Sequence, residues 1–364
     1  MGLPQAVLKG GFEGLLRPLL FASYGGDPES IHELTIKALA GVGGLPSARA
    51  ALGLVAGSSG RPVSVAGVRF PNRVGLAAGM DKDGIAARAW RGLGFGFVEV
   101  GTVTAAAQPG NDRPRVFRLR ESHALINRMG FNNHGAAALA ATLAKADIYR
   151  GNGGAGIPVG ISIGKTKLVP LDHAVDDHLS SLATVAPHAD YVAINVSSPN
   201  TPNLRSLQDG GALAELTGAL VRRAGELAVG GDPVPILVKL APDLGWAQVD
   251  EVVTACEAAG ISGLIATNTT LAREHLAPSD QPRASEAGGL SGAPLTARAR
   301  EVVRYLCGHT DLPVVGVGGV MTSADAMALF DVGASLVQLY TGFIYHGPAL
   351  VAQINADDTR RNRS

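Results

Sequence analysis

The 364-residue chain carries 31 basic and 31 acidic side chains, so its formal net charge at pH 7 is +0. This balance excludes the basic surface that nucleic-acid-binding proteins present, and nucleic acid is not predicted as a partner. The length allows one large α/β barrel or two ordinary domains, and the 48 glycines and 21 prolines suit the many short connections of a barrel.

Residues 1–56 differ from the rest of the chain and are predicted to be helical. Asp27, followed by proline, is typical of a helix start, and Gly41 is predicted to end that helix. The apolar run at 15–21 is interrupted by arginine and proline and is too short to span a membrane. No cleavage pattern of a secretory signal follows it. The helices either pack on the protein or lie in a membrane interface, and periodicity favours packing on the protein.

A regular alternation of strands and helices begins after a short hairpin predicted at 63–72. It predicts an α/β fold, a (β/α)8 TIM barrel over residues 57–354 with the N-terminal helical extension before it and a polar, frayed tail at 355–364. A doubly wound open sheet is the alternative, but no strand leads into a dinucleotide-binding GxGxxG motif. The eight barrel strands are predicted at 74–77, 97–103, 158–164, 191–197, 236–241, 263–269, 314–319 and 336–342. The helices between them are predicted at 84–93, 133–146, 172–186, 211–228, 246–260, 294–306 and 322–332.

Two connections, 104–132 and 270–293, are longer than a barrel needs. Long insertions of this kind cover the C-terminal mouth of a barrel, where the active sites of this fold lie. We therefore interpret both as lids over a site.

The residues at the strand ends converge on that mouth and are rich in amides. Asn195 interrupts an apolar strand, and a buried amide without a partner costs about 1 to 3 kcal/mol, so a ligand is one partner that it could have. Asparagines with lysines suit a planar, anionic, amide-bearing molecule. The predicted mouth residues are Lys82, Thr102, Ser162, Lys165, Asn195, Ser198, Lys239, Thr267, Asn268, Thr269, Gly318, Gly319, Tyr340 and Thr341, with Asn127, Asn132 and Asn133 from the first insertion.

Metal binding is not predicted, because no histidine or carboxylate cluster has ligand spacing. The two cysteines, Cys256 and Cys307, are interpreted as buried reduced thiols of a protein exposed to the cytosol.

The glycine-rich turn GVGGV at 316–320 suits the phosphate-binding corner of many barrels, although such turns also serve packing. With lysines nearby and no dinucleotide motif, a flavin mononucleotide is plausible, since a lysine would stabilise the negative charge of the reduced ring. An aldolase-like lyase using Lys239 as a Schiff-base nucleophile is a different possibility. A non-catalytic docking protein fits residues 1–56 but not the amide-rich mouth.

Ten segments resemble the dihydroorotate dehydrogenase family, flavin-dependent enzymes of pyrimidine synthesis. Ser198 and the helix beginning DPESIHELT resemble the quinone-dependent class 2 form, whereas class 1 members carry cysteine as the base. The resembling segments are LAAGMDKDG (76–84), GTVT (101–104), PRVFRL (114–119), INRMGFNNHG (126–135), NVSSPNTPNLRSLQ (195–208), VKLAPD (238–243), ATNTT (266–270), GGLSG (288–292), GVGGV (316–320) and LVQLYTGFIY (336–345).

The resemblance implies oxidation of (S)-dihydroorotate to orotate, with hydride transfer to FMN and Ser198 as the base. It implies FMN contacts from Ala78, Gly79, Met80, Asp81, Lys82, Thr102, Ser162, Asn195, Lys239, Thr267, Gly292, Gly319, Tyr340 and Thr341. It implies substrate contacts from Lys82, Asn127, Arg128, Met129, Gly130, Phe131, Asn195, Asn200, Asn268 and Thr269. One position departs from the family, whose members usually carry asparagine where this chain has Ser162.

The resemblance also implies a membrane quinone as the electron acceptor. The N-terminal helices would form an apolar tunnel lined by His32 and Arg118, with Tyr340 near its inner end, and would attach the protein peripherally to the cytoplasmic face of the cell membrane. A fumarate- or NAD-linked acceptor is the nearest alternative within the family.

Overall fold

The protein is represented by a computed structural model that describes residues 9–56, 60–200, 204–228 and 231–361. Predictions that fall on 1–8, 57–59, 201–203, 229–230 and 362–364 lie outside the described residues.

Within residues 9–56, three helices and a short 3-10 helix, Ser23–Gly26, precede the barrel. The three helices are α1, which joins a π-helical segment Phe12–Leu16 to an α-helical segment Arg17–Ala22, then α2 Pro28–Gly44 and α3 Pro46–Ala56. Asp27 caps α2 as predicted, with its carboxylate accepting from the Ser30 backbone N–H. The predicted stop at Gly41 is wrong. The helix continues because Gly43 is buried against Ala89, and a Cβ at Gly43 would lie 3.2 Å from the Ala89 nitrogen.

Eight parallel strands form the closed barrel that the sequence predicts. After the hairpin β1 Val63–Val65 and β2 Val68–Phe70, the barrel strands in chain order are β3 Val74–Leu76, β4 Phe97–Val103, β7 Val159–Ile163, β8 Tyr191–Asn195, β9 Ile236–Leu240, β10 Gly263–Ala266, β12 Val314–Val317 and β13 Leu336–Leu339. Every residue of these eight strands is buried. Large rings fill the barrel interior beside glycines: a Cβ at Gly75 would lie 2.2 Å from Phe97, and one at Gly160 would lie 2.1 Å from Tyr191.

Helices follow most barrel strands close to the predicted positions. They are α4 Ala136–Lys145, α5 Ala174–Val185, α6 Gly210–Leu227, α7 Trp246–Ala259, α8 Thr296–His309 and α9 Ser323–Asp331, followed by α10 Thr341–His346 and α11 Pro348–Arg361. The helix predicted at 84–93 is absent from this part of the described chain, which forms turns and the 3-10 helix Trp90–Leu93. The reason is the Asp81 carboxylate, which accepts from the Ala86 N–H (3.0 Å) and from the Trp90 indole N–H (3.1 Å) and holds a compact loop.

The two insertions together form a three-stranded antiparallel sheet, which we call the roof sheet. Its strands are β5 Val116–Leu119, β6 Ala124–Asn127 and β11 Gly289–Gly292, in the order β11, β6, β5. The first insertion supplies β5 and β6, and the second supplies β11. The insertions are therefore parts of one hydrogen-bonded unit.

The predicted frayed tail at 355–364 is wrong for the described part, because α11 extends to Arg361. Asn355 is buried and donates to the Gly94 carbonyl at 2.9 Å, and Asp358 pairs with Arg73 at 3.1 Å. These polar residues serve as anchors on the barrel. Within the described ranges, no helix combines the length and apolar character needed to cross a bilayer.

Candidate active site

A cavity with an empty volume of about 1030 Å³ lies at the C-terminal ends of the barrel strands, under the roof sheet. Most residues predicted for the mouth line it. They are Ala78, Gly79, Lys82, Thr102, Asn127, Met129, Gly130, Phe131, Asn195, Ser198, Asn200, Lys239, Thr267, Asn268, Thr269, Gly292, Gly318, Gly319, Tyr340 and Thr341. We call this space the mouth cavity.

Hydrogen bonds between side chains orient the amides of the mouth cavity. Asn195 donates to the Thr102 hydroxyl at 3.0 Å, and Asn268 donates to the Asn195 carbonyl oxygen at 3.1 Å. Asn200 donates to the Asn127 carbonyl oxygen at 3.3 Å across the cavity rim. These bonds leave further donors and acceptors of each amide for a bound molecule.

Ser198 lies in the loop that follows β8 and is 6% exposed. Its hydroxyl oxygen accepts from the Asn200 backbone N–H at 3.3 Å. The neighbouring Ser197 carbonyl accepts from Arg205 at 3.1 Å, which fixes the loop from behind. The hydroxyl is thus held at the cavity wall, and its role as the base stays a prediction.

The parallel register places Lys239 of β9 beside Asn195 of β8. The Lys239 ammonium lies 3.8 Å from the Glu99 carboxylate, which is fully buried in the barrel. The other Glu99 oxygen accepts from the Tyr191 hydroxyl at 3.1 Å and from the Gln338 amide at 2.7 Å. Burial and the Glu99 charge raise the Tyr191 pKa well above its ordinary value.

Sequence reasoning missed this cluster beneath the mouth. An acid inside the apolar strand FVEVGTV and a glutamine inside LVQL were the available signals, since a polar residue in a buried strand needs partners. The sequence does not show which hydrogen-bond partners these residues have, because the partners come from strands far apart in the chain.

Two polar atoms on the cavity wall have no hydrogen-bond partner among the described residues. They are the Thr267 hydroxyl oxygen and the Gln338 amide oxygen, both completely buried. Because buried polar groups are almost always hydrogen-bonded, these atoms fit a wall that a polar ligand covers.

Glycines form one corner of the mouth cavity. Gly318 and Gly319 have φ values of 118° and 67°, and a Cβ at Gly319 would lie 2.3 Å from Thr296. Thr296 donates to the Gly319 carbonyl at 2.7 Å, and the hydroxyls of Ser291 and Thr341 meet beside the corner at 2.8 Å. Only glycine permits this close approach of backbone, as in a phosphate-binding corner.

Seven predicted residues have side chains outside the mouth cavity, and their ligand contacts stay predictions. Two of them, Asn132 and Asn133, line a different cavity. The Asp81 carboxylate accepts hydrogen bonds within its own loop, and burial raises its pKa to about 6. Ser162 lies one layer behind the cavity and hydrogen-bonds to Thr102 at 2.9 Å. Arg128 turns outward to Glu286 at 2.6 Å. Lys165 binds carbonyls of its own loop, and Met80 faces a neighbouring cavity.

That neighbouring cavity, which we call the tunnel, lies between the N-terminal helices and the barrel and has an empty volume of about 1610 Å³. His32 and Arg118 line it, and their contact with a quinone stays a prediction. Its other lining residues are mostly apolar: Phe12, Leu16, Leu20, Phe21, Pro28, Glu29, Ile31, Thr35, Leu39, Leu52, Met80, Lys82, Leu93, Val116, Leu125, Asn127, Met129, Tyr340, Phe343, Ile344 and Pro348.

The tunnel and the mouth cavity share one wall, made of Lys82, Asn127, Met129 and Tyr340. A Cβ at Gly79 would lie 3.4 Å from the Tyr340 ring, so the ring packs directly on the loop after β3. Burial and the charge of Lys82 lower the His32 pKa to about 4, which leaves its imidazole neutral at pH 7. Burial also lowers the Arg118 pKa, while its guanidinium lies 4.2 Å from the centre of the Phe21 ring.

Among the described residues, no group of histidine, cysteine and carboxylate side chains is arranged to hold a metal ion. Both cysteines are free thiols; Cys256 is buried and Cys307 is half-buried.

Comparison with known proteins agrees with this geometry. The family model described as dihydroorotate dehydrogenase matches residues 62–359. A relative named dihydroorotate dehydrogenase (quinone) from Salinispora arenicola is 56% identical over 348 residues, covering 93% of this chain and 96% of the relative. A relative of the same name from Chloroflexus aurantiacus is 51% identical, with coverage of 93% and 94%. The crystal structure of a dihydroorotate dehydrogenase from Eimeria tenella in complex with ferulenol superposes with a TM-score of 0.82 at 32% identity, covering 95% of this chain and 94% of that one. The chain belongs to the dihydroorotate dehydrogenase family, in its quinone-dependent class 2 form.

Proposed function

We propose that the protein oxidises (S)-dihydroorotate to orotate and passes the electrons through FMN to a membrane quinone, as a step of pyrimidine nucleotide synthesis. The observation that carries the proposal is the shared wall between two chemically different cavities. An amide-lined mouth suits a small polar anion, and an apolar tunnel suits a quinone. A cofactor at the wall would connect them without the two substrates meeting.

FMN fits the residues of the mouth cavity. The glycine corner would hold its phosphate, and the unpartnered oxygens of Thr267 and Gln338 would meet its polar groups. Lys239, fixed by Glu99, would lie near the ring system and stabilise negative charge there. When bound, FMN supplies a hydride acceptor and returns the electrons to the second substrate.

The substrate would bind through the amides of Asn127, Asn195, Asn200 and Asn268, with Lys82 providing a positive charge for its carboxylate. Ser198 is the proposed base, which removes the proton from C5 while hydride leaves C6. A free serine is a weak base, so the hydrogen-bond donors around the substrate must make the C5 proton more acidic. The amide network supplies such donors in fixed orientations.

The proposal is tested by adding dihydroorotate anaerobically to the purified full-length protein while its flavin absorbance is recorded, and then adding a soluble quinone. We expect bleaching followed by recovery. A yellow protein that does not bleach would show that a flavin is bound but would refute dihydroorotate as the substrate. A colourless protein that cannot be reconstituted with FMN would refute the cofactor.

Ser198→Ala tests the proposed base. We expect the variant to retain FMN but to lose most of its turnover, at least about 100-fold, because general-base catalysis typically contributes a factor of 10² to 10⁴. The measurement is the rate of flavin bleaching by dihydroorotate. Ser180→Ala, which changes an exposed serine of α5, is the control. Near-normal bleaching in Ser198→Ala would refute its role.

The alternative lyase reaction needs an uncharged Lys239 amine as nucleophile. Lys239 is instead paired with the Glu99 carboxylate at 3.8 Å, which disfavours a Schiff base. Borohydride trapping of a carbonyl substrate on Lys239 would reverse this conclusion.

Peripheral attachment to the cytoplasmic face of the cell membrane forms part of the proposal. It is supported by apolar side chains of α1 that face solvent, including Leu15 (65% exposed) and Leu19 (62% exposed). Substituting both by serine should reduce co-flotation with phospholipid vesicles. Unchanged flotation would refute attachment through α1.

A further inference from the structure

We propose that a third cavity, a polar funnel between α2 and the first insertion, conducts protons from solvent to Lys82, and that Lys82 gives the proton with which the quinone is reduced. This inference rests on the proposed function and adds a proton route to it. The funnel has an empty volume of about 1350 Å³. Lys82 lines the funnel, the tunnel and the mouth cavity, and so lies where all three meet.

The funnel has charged, solvent-exposed side chains at its entrance. Glu33 is 45% exposed and Asp83 is 33% exposed. His134, 78% exposed, contacts the Asp83 carboxylate through Nδ1 at 3.0 Å, and Lys37 lies on the α2 side. Such an entrance is hydrated and can exchange protons with bulk water.

The floor of the funnel is formed by buried and half-buried side chains. The Lys82 ammonium donates to the Asn132 carbonyl oxygen at 2.8 Å, and Asn132 lines the funnel but does not line the tunnel. His32 and Glu29 line both the funnel and the tunnel. A proton can therefore reach the inner end of the tunnel without passing through the apolar tunnel or the mouth cavity.

The proposed reaction needs a proton at the inner end of the tunnel. Oxidation of dihydroorotate releases one hydride and one proton, and in the mouth cavity Ser198 takes this proton while its own hydroxyl proton passes on through a water or hydroxyl relay. A quinone that receives the hydride equivalent needs one proton to become the hydroquinone. The quinone would lie in the tunnel, on the other side of the wall that the tunnel shares with the mouth cavity. The proton lost at Ser198 and the proton gained in the tunnel balance overall but occur in separate spaces.

Among the described residues, five titratable or cationic side chains line the tunnel, and Lys82 is the best proton donor among them: Glu29, His32, Lys82, Arg118 and Tyr340. Burial raises the Tyr340 pKa to about 12, so its hydroxyl holds its proton more tightly than the Lys82 ammonium does. His32 is neutral at pH 7, since its pKa is lowered to about 4. Glu29 is held ionised by Arg115, with contacts of 2.7 and 3.1 Å. Arg118 cannot deprotonate in the working range of a protein.

The electrostatic surroundings of Lys82 support its role as a donor. Burial lowers its pKa to about 8, opposed by the charges of Glu29, Asp83 and Glu33 and assisted by Arg115. His32 of α2, which faces the same space, carries no charge at pH 7. An ammonium with this pKa is protonated at neutral pH and still transfers its proton readily.

Blocking the funnel tests the proposal. Ala107 and Ala106 are adjacent and both exposed, but only Ala107 lines the funnel. Ala107→Trp should fill the entrance, and Ala106→Trp is a control that adds the same side chain just outside it. Each protein is reduced anaerobically with dihydroorotate and then mixed rapidly with a soluble quinone in weakly buffered solution containing a pH-indicator dye.

We expect Ala107→Trp to bleach with dihydroorotate at the normal rate but to reoxidise, and to take up protons from the dye solution, at least about tenfold more slowly. Ala106→Trp should behave like the unchanged protein in both steps. Ala107→Leu, a smaller obstruction, should give a smaller delay and serves if the tryptophan variant does not fold. Normal reoxidation and proton uptake in the folded Ala107 variants would overturn the proposal.

The same experiment separates the two hypotheses. If the unchanged protein does not bleach with dihydroorotate, the proposed function itself fails. If it bleaches and recovers normally while the funnel variants show no delay, only the proton route fails.

Discussion

His32 lines the tunnel, and its low pKa should make the free energy of unfolding depend on pH. Its pKa is lowered to about 4, whereas an unfolded chain titrates at about 6.5. Between these values the unfolded chain binds a proton that the folded protein does not bind. The free energy of unfolding should therefore decrease as pH falls from about 6.5 to about 4.

His32→Gln removes this titration, so the variant should lose less stability than the unchanged protein between pH 7 and pH 4.5. Urea denaturation at the two pH values measures the difference. His173→Gln, at an exposed histidine, is the control variant. Equal losses in all three proteins would show that His32 is protonated in the fold.

The variant Tyr191→Phe measures how much the hydrogen bond to Glu99 beneath the mouth cavity contributes to the free energy of unfolding. Tyr191→Phe removes the hydroxyl that donates to the buried Glu99 carboxylate. We expect the free energy of unfolding to fall by about 1.5 to 3 kcal/mol, the usual range for hydrogen bonds to charged groups. Chemical denaturation measures it, with Tyr149→Phe as the exposed control. A loss no larger than that of the control would mean that Glu99 is satisfied without Tyr191.

At the residue scale, the sequence predicts the polar side chains at strand ends better than those within strands. Asn195, Lys239 and Thr267 could be found because a parallel barrel brings all its strand ends to one mouth. Glu99 could not be assigned, because its partners come from β8 and β13, and their side-chain positions depend on register and barrel closure. Ser162 lies within β7 and hydrogen-bonds to Thr102 behind the cavity, a position that likewise depends on register.

At the element scale, an ion pair fastens α2 to the first insertion. Arg115 and Glu29 are both nearly fully buried, and Arg115 also donates to the Asn111 carbonyl at 2.6 Å. Asn111 in turn donates to the Asn200 carbonyl at 3.3 Å. Helix α2, which lines the tunnel, is thereby linked through Arg115 and Asn111 to the loop after β8, which lines the mouth cavity.

Glu29→Gln should lower the free energy of unfolding by about 3 to 5 kcal/mol, because it leaves the Arg115 charge buried without its partner. Glu33→Gln alters a neighbouring carboxylate that is 45% exposed and pairs with Arg113, and it should cost at most about 1 kcal/mol. Denaturation curves of both variants give the comparison. Similar small losses would mean that water reaches Arg115 in the variant.

Element boundaries could be predicted where local signals and packing agree. The start of α2 at Pro28 follows from the Asp27 cap, which is a local signal. Its end at Gly44 and the absence of a helix at 84–93 could not be predicted, since they depend on the Gly43 contact and on the Asp81 side chain. The anchoring of α11 likewise depends on distant partners of Asn355 and Asp358.

At the scale of the whole molecule, the extension and the barrel have separable tasks. A protein lacking residues 1–56 would lose every tunnel wall that α1, α2 and α3 supply, while the mouth cavity keeps all its lining residues. We expect it to bind FMN and to bleach with dihydroorotate but to use quinone poorly. Its stability should also be reduced, since Arg115 loses Glu29.

The measurement compares reoxidation by quinone with reoxidation by ferricyanide, a small water-soluble acceptor that serves as the internal control. A selective loss of the quinone rate is expected. If the truncated protein used quinone as well as the full chain, the tunnel would not be the quinone site.

The barrel architecture follows from the sequence because eight apolar segments alternate with helix-length segments, and only a closed parallel sheet buries all of them. The roof sheet does not follow from the sequence, because its short strands carry no distinct pattern. One of its pairings, β6 with β11, also joins segments that lie far apart in the chain.

The pairing of β6 with β11 has a consequence for synthesis on the ribosome. Strand β6 ends at Asn127, whereas its partner ends at Gly292. At about 5 to 20 residues per second, the edge of β6 would wait roughly 8 to 33 s for that partner to be made. During this time an unpaired strand edge is open to other chains, so the nascent protein passes through an aggregation-prone stage that the finished fold conceals.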